Sequence, residues 1–244
     1  MRKALVCSAL SLLAIALVTP AAFAQSPKEV LLSLGSNASK SVKGKLVGGQ
    51  LVDYLVNMRA GQTLALTFAA SNSSAGYLVY AASTETAMAT SDISGDKATC
   101  MMPIDGPARV RLFLNRAAGR RGESTTYTLT VKVTGKPLPA LKGGSDALIP
   151  GTPYHAIADV PFEHYLYKDI KKCKAGVIRR GVGGTATLEF LFKGLRRRVL
   201  FVKGQVVATD APVPTTTTVS GDTITLRVGV DETYRFNKAL LYGG

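Results

Sequence analysis

The chain has 244 residues, 46% of them apolar and 19% charged, with 30 lysines and arginines against 16 aspartates and glutamates. That is enough chain for one large or two ordinary domains, and enough apolar content for packed cores to exclude disorder as the main state. A formal net charge of +14 bears on partners rather than on fold, and makes anionic polymers such as lipopolysaccharide, acidic glycan or nucleic acid the natural classes; solubility by self-repulsion accounts for the same number.

Residues 1–24 read as a secretory signal peptide. Arg2 and Lys3 precede an apolar run over 4–18 interrupted only by Ser8 and Ser11. Thr19-Pro20 breaks the run, and Ala22-Phe23-Ala24 supplies small residues for cleavage before Gln25. The run is short for a membrane span of ~20 residues. The expected product is a periplasmic or secreted soluble protein with 28 basic against 16 acidic residues, a balance of +12. Cys7 leaves with the leader. Cys100 and Cys173 remain and, in an oxidising compartment, form the pair available for a disulfide that would staple the two halves of the chain. The alternative is two buried thiols, or one exposed and reactive.

The first block, 26–134, reads as strands. Residues 51–56 are strand-like and end at a turn over 59–62. In 63–68, Leu64, Leu66 and Phe68 share one face. Strands follow at 77–80 and 98–102. Residues 108–114 alternate arginine with apolar side chains, and 126–133 point Tyr127, Leu129, Val131 and Val133 inward. The one helical stretch expected is 84–90. Short strands at this spacing, separated by turn residues, predict a β-sandwich.

Residues 135–153 form the expected linker. Gly135, Pro137, Pro139, Gly143-Gly144 and 149–153 supply the prolines and glycines that interrupt any regular element. The second block, 154–244, opens on a tyrosine-rich stretch expected to be irregular, with Tyr154, Tyr165, Tyr167, His155 and His164. Residues 176–180 lead into a glycine turn at 181–184. Strands are expected at 185–192, 196–202, 205–210, 223–228 and 232–236, with turns at Lys193-Gly194 and Lys203-Gly204. Pro212 and Pro214 make 215–218 an edge or a loop. The fold class is therefore all-β: an N-terminal antiparallel sandwich followed by a smaller, basic, antiparallel β-meander domain.

Two resemblances sit on these residues. Gly44, Asp53-Tyr54, Gly61-Gln62, Arg111, Arg116, Arg120-Arg121 and the closing strand from Tyr127 resemble the periplasmic inhibitors of g-type lysozyme and the bacterial pre-peptidase C-terminal sandwich, over residues 41–133. In both groups a tyrosine-bearing strand enters a Gly-Gln turn and a Tyr-x-Leu strand closes the sandwich. The resemblance implies partner-binding roles for Tyr54 and for Arg116, Arg120 and Arg121 on the 115–121 loop. The stretches 173–181, 184–187, 201–205 and 234–244 resemble a domain of uncharacterised secreted proteobacterial proteins. That family carries a second cysteine near Pro161-Phe162, absent here, which frees Cys173 for Cys100 or for nothing.

The chemistry expected is binding. Guanidinium groups on a rigid loop suit the carboxylates of a lysozyme cleft, although two basic proteins repel at long range. The same arginines are equally readable as solvated, and Tyr54 as a core ring with a wet tip. Arg196, Arg197 and Arg198, with Arg179-Arg180 and Lys171-Lys172, form the second candidate, a polyanion-binding face. Nucleic-acid binding calls for exposed stacking aromatics as well, and Phe190 and Phe201 read as core. His155, His164 and Cys173 lack the close spacing of metal ligands, so no metal, no cofactor and no catalytic residues are assigned, and no enzyme is expected. Three functions stay open: a non-catalytic envelope binding protein, with g-type lysozyme as a target; a basic module for anionic polymers; and a structural envelope component.

Overall fold

The computed structural model describes residues 26–139, 146–181 and 183–243. The expected signal peptide, 1–24, and residues 140–145 of the expected linker lie outside the described residues.

Nine strands build the first lobe: β1 (Lys28–Leu31), β2 (Ser39–Val47), β3 (Val52–Met58), β4 (Thr63–Ala70), β5 (Ala75–Tyr80), β6 (Ala87–Thr90), β7 (Lys97–Met101), β8 (Gly106–Leu114) and β9 (Ser124–Thr134). Two helical turns interrupt them, α1 (Ser91–Ser94) and α2 (Arg116–Arg120). One sheet runs β1-β3-β8-β5-β6 and the other β2-β9-β4-β7. Neighbours are antiparallel except β1 with β3. The period-two pattern decides which residues meet between the sheets. Leu64 and Leu66 of β4, Val110 and Leu112 of β8, and Leu129 and Val131 of β9 are all buried in one core. The arginines that alternate with them on β8 face outward: Arg111 grips Asp53 through two bonds of 2.8 and 2.7 Å, and Arg109 lies over the Tyr80 ring at 4.3 Å.

Two expectations fail in this lobe. Residues 84–90 are not helical: β6 pairs with β5 and buries Met88 and Ala89, so sheet burial overrides the helix propensity of an alanine-rich stretch. The 115–121 loop holds a capped helical turn, with Asn115 Oδ1 accepting from the Ala118 N–H at 2.9 Å.

The second lobe is one eight-stranded sheet: β10 (Ala156–His164), β11 (Lys172–Arg179), β12 (Ala186–Phe192), β13 (Leu195–Val202), β14 (Gln205–Thr209), β15 (Thr215–Ser220), β16 (Thr223–Val228) and β17 (Glu232–Asn237), closed by α3 (Ala239–Tyr242). The order β14-β13-β12-β11-β10-β17-β16-β15 brings the two sequential strands β14 and β15 to opposite ends of the ladder, so the meander curls into a near-barrel. Lys193-Gly194 and Lys203-Gly204 both take positive φ (45° and 76°; 52° and 76°), as two-residue hairpin loops require. Thr215–Ser220 is the expected edge strand. The stretch expected to be irregular is instead β10. Its Pro161 sits where pairing passes from β11 to β17, a position that tolerates a missing N–H.

The barrel interior holds Phe162, Leu188, Phe190, Val199, Phe201, Leu226 and Tyr234, with Phe190 stacked on Tyr234 at 4.0 Å. Charge enters this core. Arg197 donates to Glu232 at 2.9 and 2.7 Å and to Asp210 at 2.9 Å, and Tyr234 donates to Glu232 at 2.7 Å. Burial alone would depress the Arg197 pKa, but Glu232 and Asp210 outweigh it and hold the guanidinium firmly charged.

The lobes are joined by buried polar bonds. Arg198 of β13 is 1% exposed and donates to the Ala82 and Ser83 carbonyls of the first lobe. Thr187 donates to the Pro103 carbonyl at 2.6 Å, and Arg180 to Asp105 at 3.0 Å. Ala60, Leu200 and Ala208 form a small apolar cluster across the same face.

Candidate functional site

The site candidates of the first lobe gather at one edge of the sandwich. Gly44 of β2 lies opposite Tyr127 of β9, and a Cβ there would collide with the tyrosine hydroxyl. The missing side chain therefore lets the Tyr127 ring lie across β2 and reach Tyr54, the two hydroxyls bonding at 2.8 Å. Burial, then the bond to Tyr54, raises the Tyr127 pKa, so the phenol stays protonated at any physiological pH.

Above this pair opens a cleft of about 370 Å³, lined among others by Lys28, Lys43, Lys45, Gln50, Tyr54 and Tyr127. Among the described residues no carboxylate contributes to its wall. Lys28, Lys43 and Lys45 are exposed, and none takes part in an ion pair among the described residues. Beyond Gln50 the turn at Gly48-Gly49 packs against α2: Gly48 donates to the Glu123 carbonyl at 2.8 Å, and a Cβ on Gly119 would lie 3.4 Å from the Gly48 carbonyl. Arg116 and Arg120 stand exposed on that helical turn with no ion pair among the described residues. Arg121 differs, being held by Glu123 at 2.6 Å. The structure thus places Tyr54 in the lining of the cleft, and Arg116, Arg120 and Arg121 outside that lining, on and just after the turn packed against Gly48-Gly49. Tyr54 itself is buried and offers only its hydroxyl end.

Sequence reasoning missed the three lysines because it assigned no strand to 28–31 or 39–47. The signal was present: Lys43 and Lys45, two apart, share a face in any extended segment.

The second candidate is corrected. Arg196, Arg197 and Arg198 do not form a polyanion-binding face. Alternation sends Arg197 toward the barrel, where it is half-buried against Asp210 and Glu232, and Arg198 into the lobe junction, where it is buried. Arg198 Nε also lies 3.4 Å from Glu189, an ion contact without hydrogen-bond geometry. Arg196 is the most exposed of the three, and Glu189 pairs with it at 3.2 Å. Arg179 and Arg180 are likewise spent on Asp146 and Asp105.

Of the outcomes left open for Cys100 and Cys173, the structure has the two buried thiols and not the disulfide. Both thiols are free and buried, one in the sandwich core and the other in the barrel core. Burial pushes Cys100 up to about 11; burial, then Asp159 and Glu232, pushes Cys173 up to about 12, so neither offers a thiolate. His155 accepts from the Arg179 N–H at 3.1 Å and His164 from the Leu166 N–H at 3.0 Å, both as parts of local backbone structure. Among the described residues no cluster of three or more His, Cys, Asp or Glu is placed to hold a metal, and no helix is long and apolar enough to cross a membrane.

No family and no curated protein matches the sequence. Among solved structures, the chain is similar to PliG of Aeromonas hydrophila, a periplasmic lysozyme inhibitor of g-type lysozyme, at 24% identity and a TM-score of 0.39, over 44% of this chain and 99% of that one. It is similar to PliG of Salmonella Typhimurium at 19% identity and 0.35, over 44% and 99%. A pre-peptidase C-terminal domain of Bacillus anthracis collagenase matches at 16% and 0.36, over 44% and 98%. Scores this low carry no argument about function.

Proposed function

We propose that this chain is an exported, non-catalytic binding protein that holds an acidic macromolecular surface against the edge of its sandwich. The carrying observation is a cleft lined by three exposed lysines without ion pairs among the described residues, Lys28, Lys43 and Lys45, with no carboxylate among its described lining and the bonded hydroxyls of Tyr54 and Tyr127 at its floor; Arg116 and Arg120 stand exposed on the helical turn packed against Gly48-Gly49. Cations without internal partners keep their whole interaction free for a ligand, and guanidinium groups on a capped turn are oriented in advance for two-pronged carboxylate recognition. The sandwich motif in residues 41–133 names the first target to assay, the catalytic cleft of a g-type lysozyme.

Two measurements test the reading. Equimolar protein should slow a g-type lysozyme, and Arg116→Ala with Arg120→Ala should abolish the effect. No slowing at large molar excess removes the inhibitor role. Lys28→Gln, Lys43→Gln and Lys45→Gln together should weaken capture of an acidic protein partner and flatten its salt dependence. Unchanged capture removes the sandwich edge as the site.

A further inference from the structure

One end of the barrel carries a feature that the sandwich edge does not use. The loops at that end are 165–171, 193–194, 210–214 and 229–231, which all join strands at the same rim. They touch in series. Lys193 meets Asp169 at 3.3 Å, Tyr165 donates its N–H to the Asp231 carbonyl at 3.0 Å, and Gly229 donates to the Pro214 carbonyl at 2.8 Å. On this rim the large apolar side chains point out of the protein: Tyr165 is 67% exposed, Leu166 71%, Leu195 45%, Val213 41% and Val230 99%. Leaving five such side chains in water is unfavourable unless something removes them from it.

The same rim is basic. Lys168, Lys171 and Lys172 are exposed, and none has an ion pair among the described residues. Lys168 lies 5.9 Å from the Tyr165 ring centre and Lys193 4.8 Å from that of Tyr167. The opposing exposed carboxylates are Asp169, bound to Lys193, Glu163, bound to Arg235 and also felt by Lys171, and Asp231. Apolar tips on separate loops, with amphipathic tyrosine and lysine beside them, are unlike a flat protein interface. They match a compliant apolar layer lying beneath a layer of negative charge.

We propose that this end of the barrel docks on an anionic phospholipid bilayer. Tyr165, Leu166 and Val230 enter the headgroup–acyl boundary while Lys168, Lys171 and Lys172 meet lipid phosphates. The sandwich edge, built from other strands, stays free for its own partner.

The test uses the exported form, beginning at Gln25, in flotation with vesicles of phosphatidylglycerol and phosphatidylcholine against phosphatidylcholine alone. The protein should float with the anionic vesicles and be released as salt rises. Leu166→Asp with Val230→Asp, both surface changes that leave the core intact, should cut partitioning at least tenfold. Lys168→Gln, Lys171→Gln and Lys172→Gln together should cut it by roughly a hundredfold, at about fivefold per lysine. The chain has no tryptophan, so Tyr165→Trp gives a unique emission that should shift to the blue on anionic vesicles. The Lys28→Gln, Lys43→Gln, Lys45→Gln variant should float like the parent. Absence of flotation at low salt overturns the proposal. So does flotation indifferent to the Leu166 and Val230 changes, or flotation lost through the sandwich-edge lysines instead.

Discussion

At the residue scale, the arginine run of β13 shows how local context divides identical side chains. Arg197 and Arg198 are consecutive, so the strand sends them to opposite faces, one into the barrel and one into the lobe junction. Removing a buried partner strands the charge left behind. Arg197→Met leaves Glu232 and Asp210 without their cation and should cost about 3–5 kcal/mol in urea unfolding. Asp210 behaves differently. Burial raises its pKa despite the pull of Arg197 and the Arg198 N–H, and its second carboxylate oxygen finds no partner. Between the ordinary aspartate value and the raised one, the folded state therefore keeps a proton that the unfolded chain has released. The stability tied to that proton is complete below the ordinary aspartate value of 3.8 and is lost as pH rises through the raised one. Asp210→Asn should thus be more stable than the parent at pH 7 and lose that advantage at pH 3, read as the difference in denaturant midpoint. The thiols give a simpler readout. With Cys100 near 11 and Cys173 near 12, an aromatic disulfide reagent at pH 8 should titrate no thiol in the folded protein made from Gln25 onward and two in guanidinium, with or without prior reduction.

At the element scale, the proposed binding edge depends on two local devices. Asn115 caps α2, and Asn115→Ala should cost about 1 kcal/mol while loosening the turn that orients Arg116 and Arg120. Its effect on partner capture should exceed its effect on the unfolding midpoint. Gly44 makes room for Tyr127, and Gly44→Ala should cost about 1–3 kcal/mol by forcing the ring away from Tyr54. The strands that carry the core, β4, β8 and β9, were legible in the sequence because each buries every second residue. β2 was not: it is an edge strand whose lysines and serines are mostly exposed, so it lacks the apolar rhythm that marks a half-buried strand. β10 was hidden by Pro161 and by polar residues on its outer face, and β6 by alanines that favour a helix until a sheet offers them burial.

At the scale of the whole molecule, the lobe junction makes two cores mechanically one. Arg198, Thr187 and Arg180 satisfy carbonyls and a carboxylate of the opposite lobe, and little of this junction is open to water. Calorimetry should therefore show a single unfolding transition. Arg198→Ala with Thr187→Ala should split it in two, because the Ala82 and Pro103 carbonyls, left without their donors, then favour separation of the lobes.

The sequence by itself determined the all-β class, the inward faces of most strands and the hairpin turns. These follow from period-two burial and from backbone angles that lysine-glycine pairs supply locally. Only the tertiary structure decided which cations are free. Arg179, Arg180, Arg197 and Arg198 are consumed by carboxylates and carbonyls brought from distant strands, whereas Lys28, Lys43 and Lys45 are left facing a cleft. Charge is counted along a chain, but its availability is set by which opposite charge the fold places within a few ångströms, and that distance is not written in the neighbouring residues.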